Sequence, residues 1–205
     1  MKIICIGRNY ADHAAELGHE RPAEPLFFMK PDSALLQNEH PFVIPEWTQN
    51  CQYEVELIVR IERIARWVAP EFAHRCYREV GVGIDFTARD VQGQLKAAGH
   101  PWEKAKAFDG SAVRPLAWTS IEDLGGDVQN LNFQLELNGK TVQSGNTRDM
   151  LFTVDQIIAH LSKFCTLKTG DLIYTGTPAG VGPVAPGDQL TGRLCGRHQF
   201  TVNVM

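Results

Sequence analysis

No apolar run in this sequence approaches the ~20 residues needed to cross a bilayer, and the short apolar stretch in MKIICIGRNY falls far below the length of a signal peptide. Cysteine is sparse. The five residues Cys5, Cys51, Cys76, Cys165 and Cys195 are odd in number, widely spaced and form no CxxC pair, which argues against a disulfide framework, a zinc cage or thiol redox work. Cys5 and Cys195 are expected as small buried hydrophobes. Positive charge is not in excess: a formal net charge of −4 gives no footing for nucleic acid or an anionic membrane surface as a partner. There is no GxGxxG turn, no GK[ST] ending to a glycine-rich loop and no internal repeat. These absences leave an expectation of a cytoplasmic protein with one domain over residues 1–205, of ordinary globular composition.

What is present reads as strands. IICIG ends at Gly7, PLFFMKP is stopped by Pro31, and PFVIPE is apolar with prolines suited to a sheet edge. From Tyr53 the alternation is clear: Tyr53, Val55, Leu57, Val59 and Ile61 share one face, while Glu54, Glu56, Arg60 and Glu62 share the other with Ile58 among them. VGVGID reads as a second buried strand. FTARDVQGQLKAAGHP reads as a helix capped by Thr87 and ended at Gly99. LNFQLELNGKTVQSG alternates into Asn138-Gly139, a type I′ hairpin signal, and Thr153 caps a helix whose apolar face holds Ile157, Ile158 and Leu161. Many strands and few helices predict an α+β, mainly β fold.

Chemistry-bearing residues are spread through these elements. Glu54 and Glu56, two apart on a strand, point the same way and can converge on one ion; taken alone, the pair fits the wet face of an antiparallel strand more readily. Asp85 ends a strand whose same face carries Gly81 and Gly83, leaving room for close approach. Three such carboxylates suit a hard divalent ion, with a helix cap as the competing role for Asp85. Arg89 and Gln92 share one helix face, and the arginine fork suits a carboxylate; a salt bridge to Asp90 is the plainer alternative. His13 and Glu16, three apart, form a candidate general base, though most such pairs are surface decoration. Lys106, in WEKAKAFDGS, could hold a charge near a developing oxyanion, with Lys104 its competitor. TGTPAGVG supplies exposed amides and threonine hydroxyls.

Seven stretches in order, GRNYADHAAE, FFMKP, YEVELIV, GIDFTARDVQ, PWEKAKAFD, NGKTVQSGNTRDM and LIYTGTPAGVG, resemble the fumarylacetoacetate hydrolase superfamily, in particular its short acylpyruvase-like members. The resemblance implies a mixed β-sandwich roll of the C-terminal-domain type and a homodimer. It implies a divalent ion, Mg²⁺ with Mn²⁺ as the alternative, held by Glu54, Glu56 and Asp85. Arg89, Gln92 and Thr177 fall on substrate-binding positions, Lys106 on the catalytic lysine, and His13 and Glu16 on a catalytic dyad. Ile84 and Thr87 depart from the usual residues around the aspartate without touching ligand or arginine. The implied substrate is a small 2-oxo acid. The expected reaction is hydrolytic C–C cleavage of an acylpyruvate, with oxaloacetate decarboxylation passing through the same enolate. The alternatives are an isomerase or decarboxylase of 2-hydroxyhepta-2,4-diene-1,7-dioate and a metal-binding, non-catalytic homologue.

Overall fold

Three apolar stretches far apart in sequence meet in one sheet. In the computed structural model, which describes residues 1–11, 22–37 and 40–205, β1 (Ile3–Gly7) and β2 (Leu26–Lys30) form an antiparallel pair. β3 (Cys51–Tyr53) and β4 (Val55–Ile61) follow, then a short helix α1 (Pro70–Ala73), β5 (Tyr77–Asp85) and β6 (Thr87–Ala88). α2 (Arg89–Ala98) and the single turn α3 (Glu103–Lys106) lead to β7 (Ala112–Val113) and β8 (Thr119–Ser120). The rest comprises β9 (Asn132–Leu137), β10 (Lys140–Asn146), α4 (Val154–Phe164), β11 (Leu172–Tyr174), β12 (Gly182–Pro183), β13 (Gln189–Leu194) and β14 (Arg197–Asn203).

The main sheet runs β2-β1-β11-β4-β5-β7, with β8 also on β5; a four-stranded sheet runs β10-β9-β13-β14, and β12-β3-β6 makes a third. Only β1 and β11 pair in parallel among these strands. Val55, Leu57, Val80, Val82 and Ile84 share one core with Phe133 and Leu135 of the second sheet and with Ile157, Ile158 and Leu161 of α4. The opposite face of the main sheet is buried too, by Ile3, Cys5, Ile58, Leu172 and Tyr174. Each such side chain contributes roughly 1.5–3 kcal/mol. A sheet covered on both faces is the expected strand-rich roll, and the mixed pairing follows from the one parallel contact. Among the described residues no helix is long and apolar enough to cross a membrane.

Local signals hold where they are strong. Asn138 and Gly139 both have positive φ, as a type I′ turn requires, and Thr153 with Gln156 closes a reciprocal capping box on α4. Gly99 takes the left-handed C-cap of α2. Four details differ from the sequence reading. PFVIPE makes no strand: Phe42 and Ile44 bond only to the C-terminal residues 203–205, and Pro45 has no N–H to extend the pairing. The strand read from VGVGID starts earlier than that run, since β5 begins at Tyr77. Thr87 does not cap α2; its hydroxyl is taken by Lys106. Cys195 is exposed, because it forms with Gly196 a second two-residue turn of positive φ between β13 and β14, while Cys5 is buried as expected.

Two glycines separate close approach from chain entropy. A Cβ on Gly83 would lie 1.9 Å from the Val113 carbonyl oxygen and 2.5 Å from Ile58 Cδ1, whereas one on Gly93, mid-α2, meets nothing within 4 Å. Gly83→Ala is expected to destabilise by at least ~2 kcal/mol and Gly93→Ala to stabilise by ~0.5–1 kcal/mol. Urea-unfolding midpoints check both, and an unchanged midpoint for Gly83→Ala would refute the close approach of β5 and β7.

Candidate metal centre

The β4–β5 register decides where the carboxylates fall. Val55 lies opposite Ile84 and Glu56 opposite Gly83. One step further sets Glu54 against Asp85, whose N–H donates to the Glu54 carbonyl oxygen at 2.9 Å. Since Val55 and Ile84 turn into the core, alternation places Glu54, Glu56 and Asp85 together on the other face. That face is dry: the three are 5%, 2% and 1% exposed. One oxygen from each lies within 4.8 Å of the others. The wet-face alternative holds only farther along, where Arg60 meets Glu79 at 3.0 Å in a half-exposed pair. Glu54 itself falls between β3 and β4 and belongs to neither.

Three cations face the triad. Lys106 Nζ donates to Glu54 Oε2 at 2.8 Å, to Asp85 Oδ2 at 2.8 Å and to Thr87 Oγ1 at 2.6 Å. Burial alone would lower its pKa, but Asp85 and Glu54 outweigh burial and hold the ammonium above the ordinary lysine range. Lys30 Nζ lies 2.8 Å from Asp85 Oδ1 and donates to the Ser111 carbonyl and hydroxyl oxygens and to the Lys106 carbonyl. Arg89 fans out: Nε donates to Gln52 Oε1 and Nη1 to Gln92 Oε1, each at 2.8 Å, and Nη2 pairs with Glu54 Oε1. Asp90, the alternative partner for Arg89, instead accepts from the Thr48 hydroxyl and the Gln49 N–H. Lys104 is exposed.

Glu56 has no cation in hydrogen-bonding contact among the described residues. Its Oε2 accepts from the Gly176 N–H at 2.7 Å. Burial pushes its carboxyl well above the usual carboxylate range, and the charges of Asp85 and Glu54 push further. Asp85 Oδ1 is fully enclosed; it is ion-paired with Lys30 but accepts no hydrogen bond. An all-oxygen, buried donor set in which burial opposes the charge of Glu56 and one Asp85 oxygen accepts no hydrogen bond fits a hard divalent cation such as Mg²⁺ or Mn²⁺.

The 175–178 loop is pinned beside this set. The Asn9 amide donates to the Thr175 carbonyl at 2.8 Å, and Gly176 passes so close to Asn9 that a Cβ would sit 2.8 Å from it. Buried Gln143 donates to Thr177 Oγ1 and the Pro178 carbonyl, both at 2.9 Å, and accepts from the Val55 N–H. A narrow cavity of about 40 Å³ remains, with described walls that include Arg8, Arg89, Gln92, Lys96, Trp102, Lys106, Thr177 and the triad. A roomier cavity, about 710 Å³, lies between Glu62, His74, Arg78, Glu122 and Asp155; the cluster of three carboxylates lines the smaller one. His13 and Glu16 lie outside the described residues. Sequence reading missed Lys30, Gln143, Lys96 and Arg8. For Lys30 a signal existed, a lysine closing an apolar strand immediately before Pro31.

Over residues 2–203 the chain matches the model of the fumarylacetoacetate (FAA) hydrolase C-terminal family. It belongs to that family. It is 44% identical to oxaloacetate tautomerase YcgM of Escherichia coli (strain K12) over all 205 of its residues and 92% of that protein. It is 39% identical to the mitochondrial oxaloacetate decarboxylase of Dictyostelium discoideum over 95% of this chain and 89% of that one. The crystal structure of fumarylpyruvate hydrolase from Pseudomonas aeruginosa in complex with Mn²⁺ and pyruvate superposes with a TM-score of 0.93 at 33% identity, covering 100% of this chain and 89% of that one.

The two kinds of carboxylate should respond oppositely to neutralisation. Asp85→Asn leaves buried Lys30 without a carboxylate and Lys106 with Glu54 alone, and is expected to cost the metal-free protein ~3–5 kcal/mol. Glu56→Gln removes a charge that burial already opposes and should cost less than ~1 kcal/mol. Both should weaken Mn²⁺ binding roughly tenfold or more by calorimetry; wild-type affinity in Glu56→Gln would show that the triad is not a metal site.

Proposed function

We propose that this protein is a divalent-metal-dependent enzyme that acts on small 2-oxo acids through their enol or enolate form, with keto–enol conversion of oxaloacetate as its leading reaction. The observation that carries this reading is the buried triad of Glu54, Glu56 and Asp85 faced by Lys106 and Arg89. The names of the two curated relatives support oxaloacetate as substrate. A Mg²⁺ or Mn²⁺ ion held by the triad would supply Lewis-acid stabilisation of the developing negative charge.

The chain's own residues supply the rest. The Arg89 fork, the Gln92 amide and the Thr177 hydroxyl bind and orient the substrate's carboxylate. Lys106, held protonated by its carboxylate neighbours, places a second positive charge beside the oxygen that becomes enolic. Gln52 and Gln143 are positioning residues, one bracing Arg89 and the other Thr177. Moving a proton between carbon and oxygen needs an acid–base pair, and His13 with Glu16 is the proposed one.

Hydrolysis of an acylpyruvate is the second reading, favoured by the likeness to a fumarylpyruvate hydrolase in complex with Mn²⁺ and pyruvate. It uses the same enolate as leaving group and asks the His13–Glu16 dyad to activate water. Decarboxylation of oxaloacetate needs the enolate without that water. The head of the site is thus common to all three, and the reactions differ in what happens at the distal carbon.

Purified protein with Mg²⁺ or Mn²⁺ should accelerate decay of the enol absorbance of oxaloacetate, and a chelator should abolish the effect. Pyruvate formation from oxaloacetate and cleavage of acetylpyruvate, followed in parallel, rank the other reactions. Lys106→Met should lower kcat for the preferred reaction roughly 10²–10³-fold. Inertness of the metal-loaded protein in all three reactions would reject the reading.

A further inference from the structure

Two cations at the rim of this site are not used by the enol chemistry. Lys96 lies four residues beyond Gln92 and seven beyond Arg89, so α2 presents Arg89, Gln92 and Lys96 along one side. All three line the same narrow cavity. Lys96 Nζ sits 5.2 Å over the Trp102 ring, Trp102 lies 5.9 Å from Phe28, and Lys106 Nζ lies 5.3 Å from the Phe28 ring on the catalytic side. The two lysines are therefore the ends of one wall, joined by two aromatic faces that hold them in place without neutralising them. Arg8 enters the cavity from the end of β1. It does so from a left-handed backbone with φ 58, a conformation uncommon for arginine.

Neither cation has a carboxylate partner among the described residues, although every other cation of the site has one. Burial, together with the charges of Arg89, Arg8 and Lys106, pulls the Lys96 ammonium down to about 8, and Glu54 offsets this only in part. A half-buried ammonium surrounded by like charges is stabilised when an anion arrives. The head of a 2-oxo acid already has its recognition in Arg89, Gln92 and Thr177. What remains for Lys96 is the other end of the substrate.

We infer that Lys96, aided by Arg8, is a specificity-determining residue that receives a second carboxylate, so that the site selects short 2-oxo dicarboxylates over 2-oxo monocarboxylates. This deepens the proposed function and rests on its placement of the 2-oxo head at the triad and Arg89. The helix fixes the geometry: seven residues separate Arg89 from Lys96, about 10 Å along the axis, and two long side chains reaching inward from those points can clasp an anion at each end of a short diacid.

Lactate and malate, unreactive here and differing by one carboxylate, isolate the effect. The Mn²⁺-loaded wild-type protein should bind malate more tightly than lactate by roughly ten- to a hundredfold, as expected for one charge-assisted contact. Lys96→Met, which keeps the helix and the contact with Trp102, should remove most of that preference while leaving lactate affinity within about twofold, and Lys96→Arg should restore it. In turnover, Lys96→Met should raise KM for oxaloacetate by a similar factor with kcat nearly unchanged. Equal weakening of lactate and malate, or no change in either, would overturn the assignment. A protein that turns over no 2-oxo acid yet loses its malate preference in Lys96→Met would uphold it while rejecting the enzymatic reading, so the two fail separately.

Discussion

Three carboxylates gathered within 4.8 Å on a dry sheet face are the constraint on which the rest of the structure depends. Ions in such surroundings cost several kcal/mol each unless paired, and like charges at this spacing repel. The chain answers with three cations brought from three places: Lys30 from the end of β2, Lys106 from α3, and Arg89 from the first turn of α2. In formal charge the two sets cancel. A divalent ion added to them leaves a surplus of two positive charges, which matches the carboxylate of a 2-oxo acid together with the negative charge that its enolate develops. Under the proposed function, electrostatic balance would be complete only with metal and substrate both in place.

Rigidity follows from where these groups are rooted. Glu56 and Asp85 stand on two adjacent interior strands of a sheet buried on both faces, so their backbones cannot drift apart. Lys30 ties Asp85 to the Lys106 carbonyl and to Ser111, which makes it a prop between β2 and the α3 turn. The 175–178 loop, by contrast, has no regular structure; it is held by Asn9, Gln143 and the side chain of Glu56 itself. Loop, strand and turn therefore share partners, and a change in the carboxylate set is transmitted to the Gly176 amide beside Thr177.

Much of the frame was legible in the sequence because it rests on local rules. The alternation from Tyr53 to Ile61, Asn138-Gly139 and Thr153 with Gln156 each act within a few residues, and each holds. What was not legible depends on partners distant in sequence. Thr87 has the residue type of a helix cap, but Lys106, 19 residues on, takes its hydroxyl. Gln143 looks like any polar residue on a hairpin strand, and only the fold brings it to Thr177 and the Val55 amide. Cys195 was misread because its strand-like neighbours hide a turn that Gly196 alone announces. In the site, the spacing of Glu54 and Glu56 suggested convergence without requiring it; the register of β4 against β5 and the dryness of the face, neither of which a segment can show by itself, make the difference.

The division between head and rim has a mechanistic consequence. Tautomerisation, decarboxylation and C–C hydrolysis of 2-oxo acids all lower their barriers by stabilising the same enolate, so a fixed head of triad, Lys106 and Arg89 serves each without alteration. The outcome is then set by which group occupies the third carbon and what meets it. Under the proposed function the residues placed to meet it are Arg8, at the end of β1, and Lys96, two turns along α2 from Arg89, both of which line the cavity. Neither is rooted in β4 or β5. Placing the invariant chemistry on the stiffest element and the discriminating contacts on its margin lets substrate choice change by substitution at the rim, with no disturbance of the charge balance that holds the carboxylates together.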